Sequence, residues 1–135
     1  MKNLLLVMSL VLSFNTFSQV KHYIDYYENG QVKTEGMLLN GKFEGVFIMY
    51  YENGQIESKT TRIKDKMNGI AKIFYENGKL KVDGNLIDGK HEGIWKYYYP
   101  NGNLEKEGRY LNGNGIGIWK HYWEDGTFKE ERNLD

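Results

Sequence analysis

The sequence predicts an all-β protein: tandem 24-residue β-hairpin repeats that form one elongated, meandering antiparallel sheet after an N-terminal signal peptide. Three observations carry that expectation. Glycines at 30, 54, 78, 102 and 126 recur at a constant step of 24 residues. Each closes a turn-like tetrapeptide: Tyr-Glu-Asn-Gly at 27–30, 51–54 and 75–78, then Tyr99-Pro100-Asn101-Gly102 and Trp123-Glu124-Asp125-Gly126. Eleven tyrosines and 16 glycines against a single proline suit strands joined by tight turns. A fixed period of this size, with no insertion from Tyr23 onward, is the signature of a repeat architecture.

The first element is the leader, residues 1–18. Lys2 supplies a positive start, Leu4 to Leu12 is apolar apart from Ser9, and Thr16 and Ser18 are small residues at −3 and −1 of a cut before Gln19. This pattern predicts a cleavable secretory signal and a secreted or periplasmic protein. The apolar run is about half of the ~20 residues needed to span a bilayer as a helix. The remaining 19–135 form the repeat domain, with units at about 22–45, 46–69, 70–93, 94–117 and 118–135.

Each unit reads as a hairpin, with Asn-Gly as a two-residue type I′ turn between β-prone runs. In the fourth unit the strands are Ile94–Tyr99 and Leu104–Leu111, followed by a glycine-rich connection from Asn112 to Gly117. Counting outward from Asn101-Gly102 sets Tyr99 opposite Leu104, Lys96 opposite Glu107 and Trp95 opposite Gly108. The same count sets Lys72 against Asp83, Lys120 against Glu131 and Tyr23 against Gly36. Lysines thus meet acids and aromatics meet strand glycines, which a one-residue slip would abolish.

Alternation then separates two faces. A core face is expected to carry Tyr27, Tyr51, Tyr75, Tyr99 and Trp123 with Val32, Ile56, Leu80, Leu104 and Phe128. Trp95, Trp119, Phe47, Leu38, Leu86 and Tyr110 join it. The solvated face carries the lysine–acid rungs and a second aromatic column, Tyr26, Tyr50, Phe74, Tyr98 and Tyr122. That column is the candidate partner-binding strip, because aromatic rows contribute strongly to interfaces. Ring packing over neighbouring stems such as Lys33, Glu57 and Lys81 is its alternative role.

These columns resemble the MORN-repeat-variant family of bacterial proteins. Gly93-Ile94-Trp95-Lys96-Tyr97-Tyr98-Tyr99-Pro100-Asn101-Gly102-Asn103-Leu104, continued by Glu107-Gly108-Arg109-Tyr110, carries the likeness, which extends over Tyr23 to Asp135. The second unit departs from it at Thr60 and Asp65, and the fifth at Arg132. The resemblance implies a single sheet of stacked hairpins and a role in binding rather than catalysis. It also implies a kinship with antitoxin components of toxin–antitoxin pairs, of YwqK type, and a proposed role in membrane association.

Chemical motifs are sparse. There is no cysteine, and His22, His91 and His121 share no repeat column, so no metal, cofactor or catalytic residue is expected. Glu28, Glu52, Glu76 and Glu124 recur with the turns, at about 10 Å intervals, too far apart for the paired carboxylates of a retaining glycosidase. Asn40-Gly41-Lys42 and Asp88-Gly89-Lys90 lack the Ser/Thr and helix of a phosphate loop and read as turns. Eighteen basic and 18 acidic side chains balance, which argues against nucleic acid as a partner. A membrane surface is admissible but not supported by that charge. The expected function is a non-enzymatic, exported protein-interaction scaffold with a protein partner of unknown identity. The alternatives are an antitoxin or immunity protein and an envelope-associated structural protein.

Overall fold

A computed structural model describes residues 18–135, so the leader expected at 1–18 lies almost wholly outside the described residues. Ten strands follow in chain order: β1 Val20–Tyr26, β2 Val32–Leu39, β3 Lys42–Tyr50, β4 Ile56–Ile63, β5 Lys66–Phe74, β6 Leu80–Ile87, β7 Lys90–Tyr98, β8 Leu104–Leu111, β9 Asn114–Tyr122 and β10 Phe128–Asn133. They lie side by side in that same order in one antiparallel sheet. Sequential order follows from the short turns, which leave each strand no neighbour but the next.

The expected rungs are present. Lys72 pairs with Asp83, Lys96 with Glu107, Lys120 with Glu131, Trp95 with Gly108 and Tyr23 with Gly36. The turn that was to produce them is different. At Tyr99–Asn103 the Gly102 N–H donates to the Tyr99 carbonyl (2.8 Å) and the Tyr99 N–H donates to the Asn103 carbonyl (2.8 Å). Gly102 has φ +97°, while Asn101 is not left-handed. This is a type I turn with a glycine bulge, not type I′. Pro100 presets its second position, and Asn101 Oδ1 accepts from the Asn103 N–H at 2.8 Å. The longer turn moves the pairing by one, so Leu104 faces Tyr98 rather than Tyr99. An extra residue, Glu105, then restores the register. The two irregularities cancel, which is why the rungs beyond them fall as expected.

Type I′ geometry occurs at the opposite ends of the strands. Asn40-Gly41 and Asp88-Gly89 hold φ of +51°/+80° and +50°/+80°, and Asn112-Gly113 holds +52°/+88°. The supposed glycine-rich connection 112–117 is therefore this tight turn plus the start of β9. Lys64-Asp65 adopts the same turn without glycine, and Asp65 Oδ1 accepts from the Phe43 N–H at 2.7 Å. Gly45, Gly69, Gly93 and Gly117 mark mid-strand irregularities with φ between +63° and +89°.

The core occupies one face of the sheet. Ala71, Val82, Leu86 and Trp95 form a buried cluster flanked by Tyr97 and Tyr110. Edge contacts carry it along the ladder: Tyr23 to Phe43 (5.2 Å between ring centres), Phe43 to Phe47 (4.7 Å) and Tyr110 to Trp119 (5.1 Å). The strand glycines sit under these rings, but under the ring of the unit that follows. A Cβ at Gly84 would overlap the Trp95 indole, one at Gly108 would overlap Trp119, and one at Gly36 would stand 3.0 Å from Phe47. Where glycine is lost, the ring is lost too: Thr60 faces Ala71. Arg62 fills the Leu38/Leu86 column there, with its guanidinium 4.2 Å from the Phe47 ring centre.

Side-chain clips tie each unit to the next. Tyr27, Tyr51, Tyr75 and Tyr99 hydroxyls donate to the carbonyls of Tyr50, Phe74, Tyr98 and Tyr122 at 2.7–3.0 Å. Asn53, Asn77 and Asn101 Nδ2 donate to Glu76, Pro100 and Glu124 carbonyls at 3.1, 2.9 and 2.8 Å. The fifth unit has Trp123 and Asp125 in these places.

Candidate interaction face

The face opposite the core is the one that remains open. Tyr26, Tyr50, Phe74, Tyr98 and Tyr122 lie on it, as the alternation predicts. They are not alone there. Because of the bulge, Val32, Ile56, Leu80, Leu104 and Phe128 stand directly opposite them on the same face, not on the core face where the sequence placed them. Tyr122 and Phe128 meet edge-to-face with ring centres 6.0 Å apart. Four of the five aromatics are consequently half-buried, and only Tyr26, on the edge strand, is 55% exposed. The Tyr50 hydroxyl donates to Glu35 Oε1, and that hydrogen bond, helped by burial, pushes its pKa up to about 12. The strip is thus largely engaged with its own neighbours.

A second row, which alternation along single strands did not bring out, is more open. Val46, Ile70, Ile94 and Ile118 recur at the same step of 24, each just before the core residue Phe47, Ala71, Trp95 or Trp119. They point to the open face and are 47%, 52%, 57% and 59% exposed. Two strands separate successive members, so they stand about 10 Å apart. The signal was available in the sequence as a constant β-branched column. It was hidden because a β-branched residue in a strand is ordinarily taken as core.

Between the aromatic and aliphatic rows run the charged rungs. Lys72 Nζ lies 3.0 Å from Asp83 Oδ2, and Lys96 Nζ lies 3.3 Å from Glu107 Oε2. With Lys120, Arg109, Ile94 and Ile118 the fourth and fifth units line an open depression of about 750 Å³. Its chemistry is apolar contact edged by charges of both signs.

The histidines are dispersed. His91 packs on the core face, its ring centre 3.9 Å from that of Trp95. His121 is opposite Lys106, and burial, assisted by Arg132, pulls its pKa below the usual histidine value. His22 is on β1. Among the described residues no three metal-ligating side chains gather. Glu28, Glu52, Glu76 and Glu124 are exposed beside the turns, where the last three lend backbone carbonyls to the asparagine clips. The turn glycines Gly30, Gly54, Gly78, Gly102 and Gly126 all hold positive φ, between +80° and +97°.

Comparison with known proteins agrees with this construction. The profile of a family described as MORN repeat variant matches four segments, residues 19–40, 43–64, 67–88 and 92–112. No curated protein matches the chain.

Proposed function

Because the chain belongs to the MORN repeat variant family, whose repeats are binding modules for proteins or membranes, we propose that it is a non-enzymatic, exported scaffold that seats a protein partner on its open face. The observation that carries this reading is the exposed row Val46, Ile70, Ile94 and Ile118. Four large aliphatic side chains left in water at a regular interval have an unfavourable hydration cost that a partner's apolar surface would relieve, about 25 cal/mol per Å² covered. The flanking lysine–acid rungs would select among partners more than they would add affinity. Tyr26, at the end of the aromatic strip, extends the same surface.

Export is supported by Lys2, the apolar run from Leu4 and the small residues Thr16 and Ser18. Gln19, the first residue after that expected cut, is held in the ladder by Asn40, whose N–H donates to the Gln19 carbonyl at 3.0 Å.

The test pairs capture with a control for folding. Envelope fractions are passed over the native protein and over Ile94→Asp/Ile118→Asp, and the retained protein is identified with the native form. The variant should keep its β-type circular dichroism and lose that same protein. Equal retention by the variant would reject the open face as the binding surface. Fractionation of expressing cells, with mass spectrometry of the N-terminus, tests export: Gln19 should be the first residue, and an intact Met1 on cytoplasmic protein would reject it.

A further inference from the structure

The two edges of the sheet are chemically unlike, and from the N-terminal edge we infer that two copies of this chain join β1 to β1 as a closed two-fold dimer with one continuous sheet. An open strand edge is a template for pairing unless something blunts it. The C-terminal edge is blunted. Strand β10 carries Lys129, Glu130, Glu131 and Arg132 in succession. Any antiparallel self-pairing centred on one of these puts like charges on the two-fold axis. The last unit also has Trp123 and Asp125 where internal units have the donors that clip the next unit. These features disfavour a head-to-tail filament of copies, which would need the C-terminal edge.

Strand β1 carries no such run of charges: its Lys21 and Asp25 stand apart. Val20, Ile24 and Tyr26 are exposed along it at 62%, 38% and 55%. The Asn40 N–H bonds to the Gln19 carbonyl in the β1–β2 register, so by alternation Lys21, Tyr23 and Asp25 bond inward to β2. The backbone groups of Val20, His22 and Ile24 and the Tyr26 carbonyl therefore point off the edge, while the Tyr26 N–H donates to Asp25 Oδ1 at 3.0 Å.

Self-pairing centred on Tyr23 uses those groups. His22 then exchanges hydrogen bonds with Ile24 of the second copy, and the Val20 N–H donates to the Tyr26 carbonyl. Lys21 comes opposite Asp25 of the second copy, twice by symmetry. Among the described residues neither of these two charges has an ion-pair partner within one chain. Only a neutral residue sits on the axis. Tyr23 lies on the core face against Phe43, so the two core faces continue on one side across the joint.

The absence of cysteine makes the test clean. In this pairing Tyr23 is opposite itself in a non-hydrogen-bonded pair, about 4.5 Å between Cα atoms, within disulfide range. The protein as it accumulates in expressing cells should sediment at twice the monomer mass. Tyr23→Cys should oxidise to a linked dimer, whereas Glu131→Cys on β10 should not. Lys21→Asp or Asp25→Lys should each raise the dimer dissociation constant about tenfold or more, since two rungs change sign together. Lys21→Asp/Asp25→Lys should restore it. A monomeric mass at every concentration, a dimer indifferent to both single reversals, or equal cross-linking through Glu131→Cys would overturn the inference.

Discussion

The Trp95 indole covers Gly84, the strand glycine of the unit before it, although its backbone pairs across the other side with Gly108. The ring leans onto β6, where its Nε1 donates to the Asn85 carbonyl at 3.2 Å. The fourth unit thereby closes the gap left in its predecessor, and Trp119 of the fifth does the same over Gly108.

This arrangement separates two kinds of contact that denaturant melts can resolve. Trp95→Ala should cost roughly 3–5 kcal/mol, because a large ring leaves the core. Gly84→Val should cost about 1–3 kcal/mol by overpacking, and most of that cost should vanish in the Trp95→Ala background. Gly108→Val should be relieved by Trp119→Ala and not by Trp95→Ala. Lys96→Ala removes only a part-exposed pair, about 0.2–1 kcal/mol, and less in high salt.

The second junction tests the same packing in reverse. Thr60 and Ala71 replace the glycine and its ring. Ala71→Trp alone should destabilise, since the indole would meet the Thr60 side chain. Thr60→Gly/Ala71→Trp should melt at higher denaturant than Ala71→Trp, with a coupling of about 0.5–3 kcal/mol between the two sites. Additive effects would mean that ring and glycine do not share one space.

The inter-unit clips should count inside the ladder and not at its end. Tyr75→Phe removes the hydroxyl that donates to the Tyr98 carbonyl at 2.7 Å and should cost about 0.5–1.5 kcal/mol. Asn77→Asp loses the donor to the Pro100 carbonyl and should also destabilise. Asp125→Asn should be nearly silent in urea melts, because among the described residues its Oδ1 accepts only from Thr127, and asparagine keeps that acceptor.

Protonation of His121 should loosen the last hairpin. Burial first, and the Arg132 charge next, hold its folded pKa below the unfolded value of about 6.5. The unfolded chain thus takes up the proton more readily. The associated stability is present above about pH 6.5 and is lost as pH falls through the folded pKa. Melts of the native protein and of His121→Tyr, the tyrosine found at Tyr97 in the preceding unit, should diverge on acidification, with the native form losing more. Parallel pH profiles would contradict this assignment.

The 24-residue period by itself determined the all-β class, the ten strands, their sequential order and the rungs Lys72–Asp83 and Lys96–Glu107, because each pairing is local and repeats with its turn. Tertiary structure decided the rest. One bulge at Glu105 moves Leu104 to the face of Tyr98, since alternation has a period of two and a single added residue inverts it. The aromatic strip is half-covered for that reason. The direction of the Trp95 ring depended on which neighbouring strand offered an empty site, and the pairing count is silent on this because Gly84 and Gly108 are equally small. The openness of Ile94 and Ile118 likewise rests on the sheet having a core on one face alone, which a column of β-branched residues does not reveal until both faces exist in space.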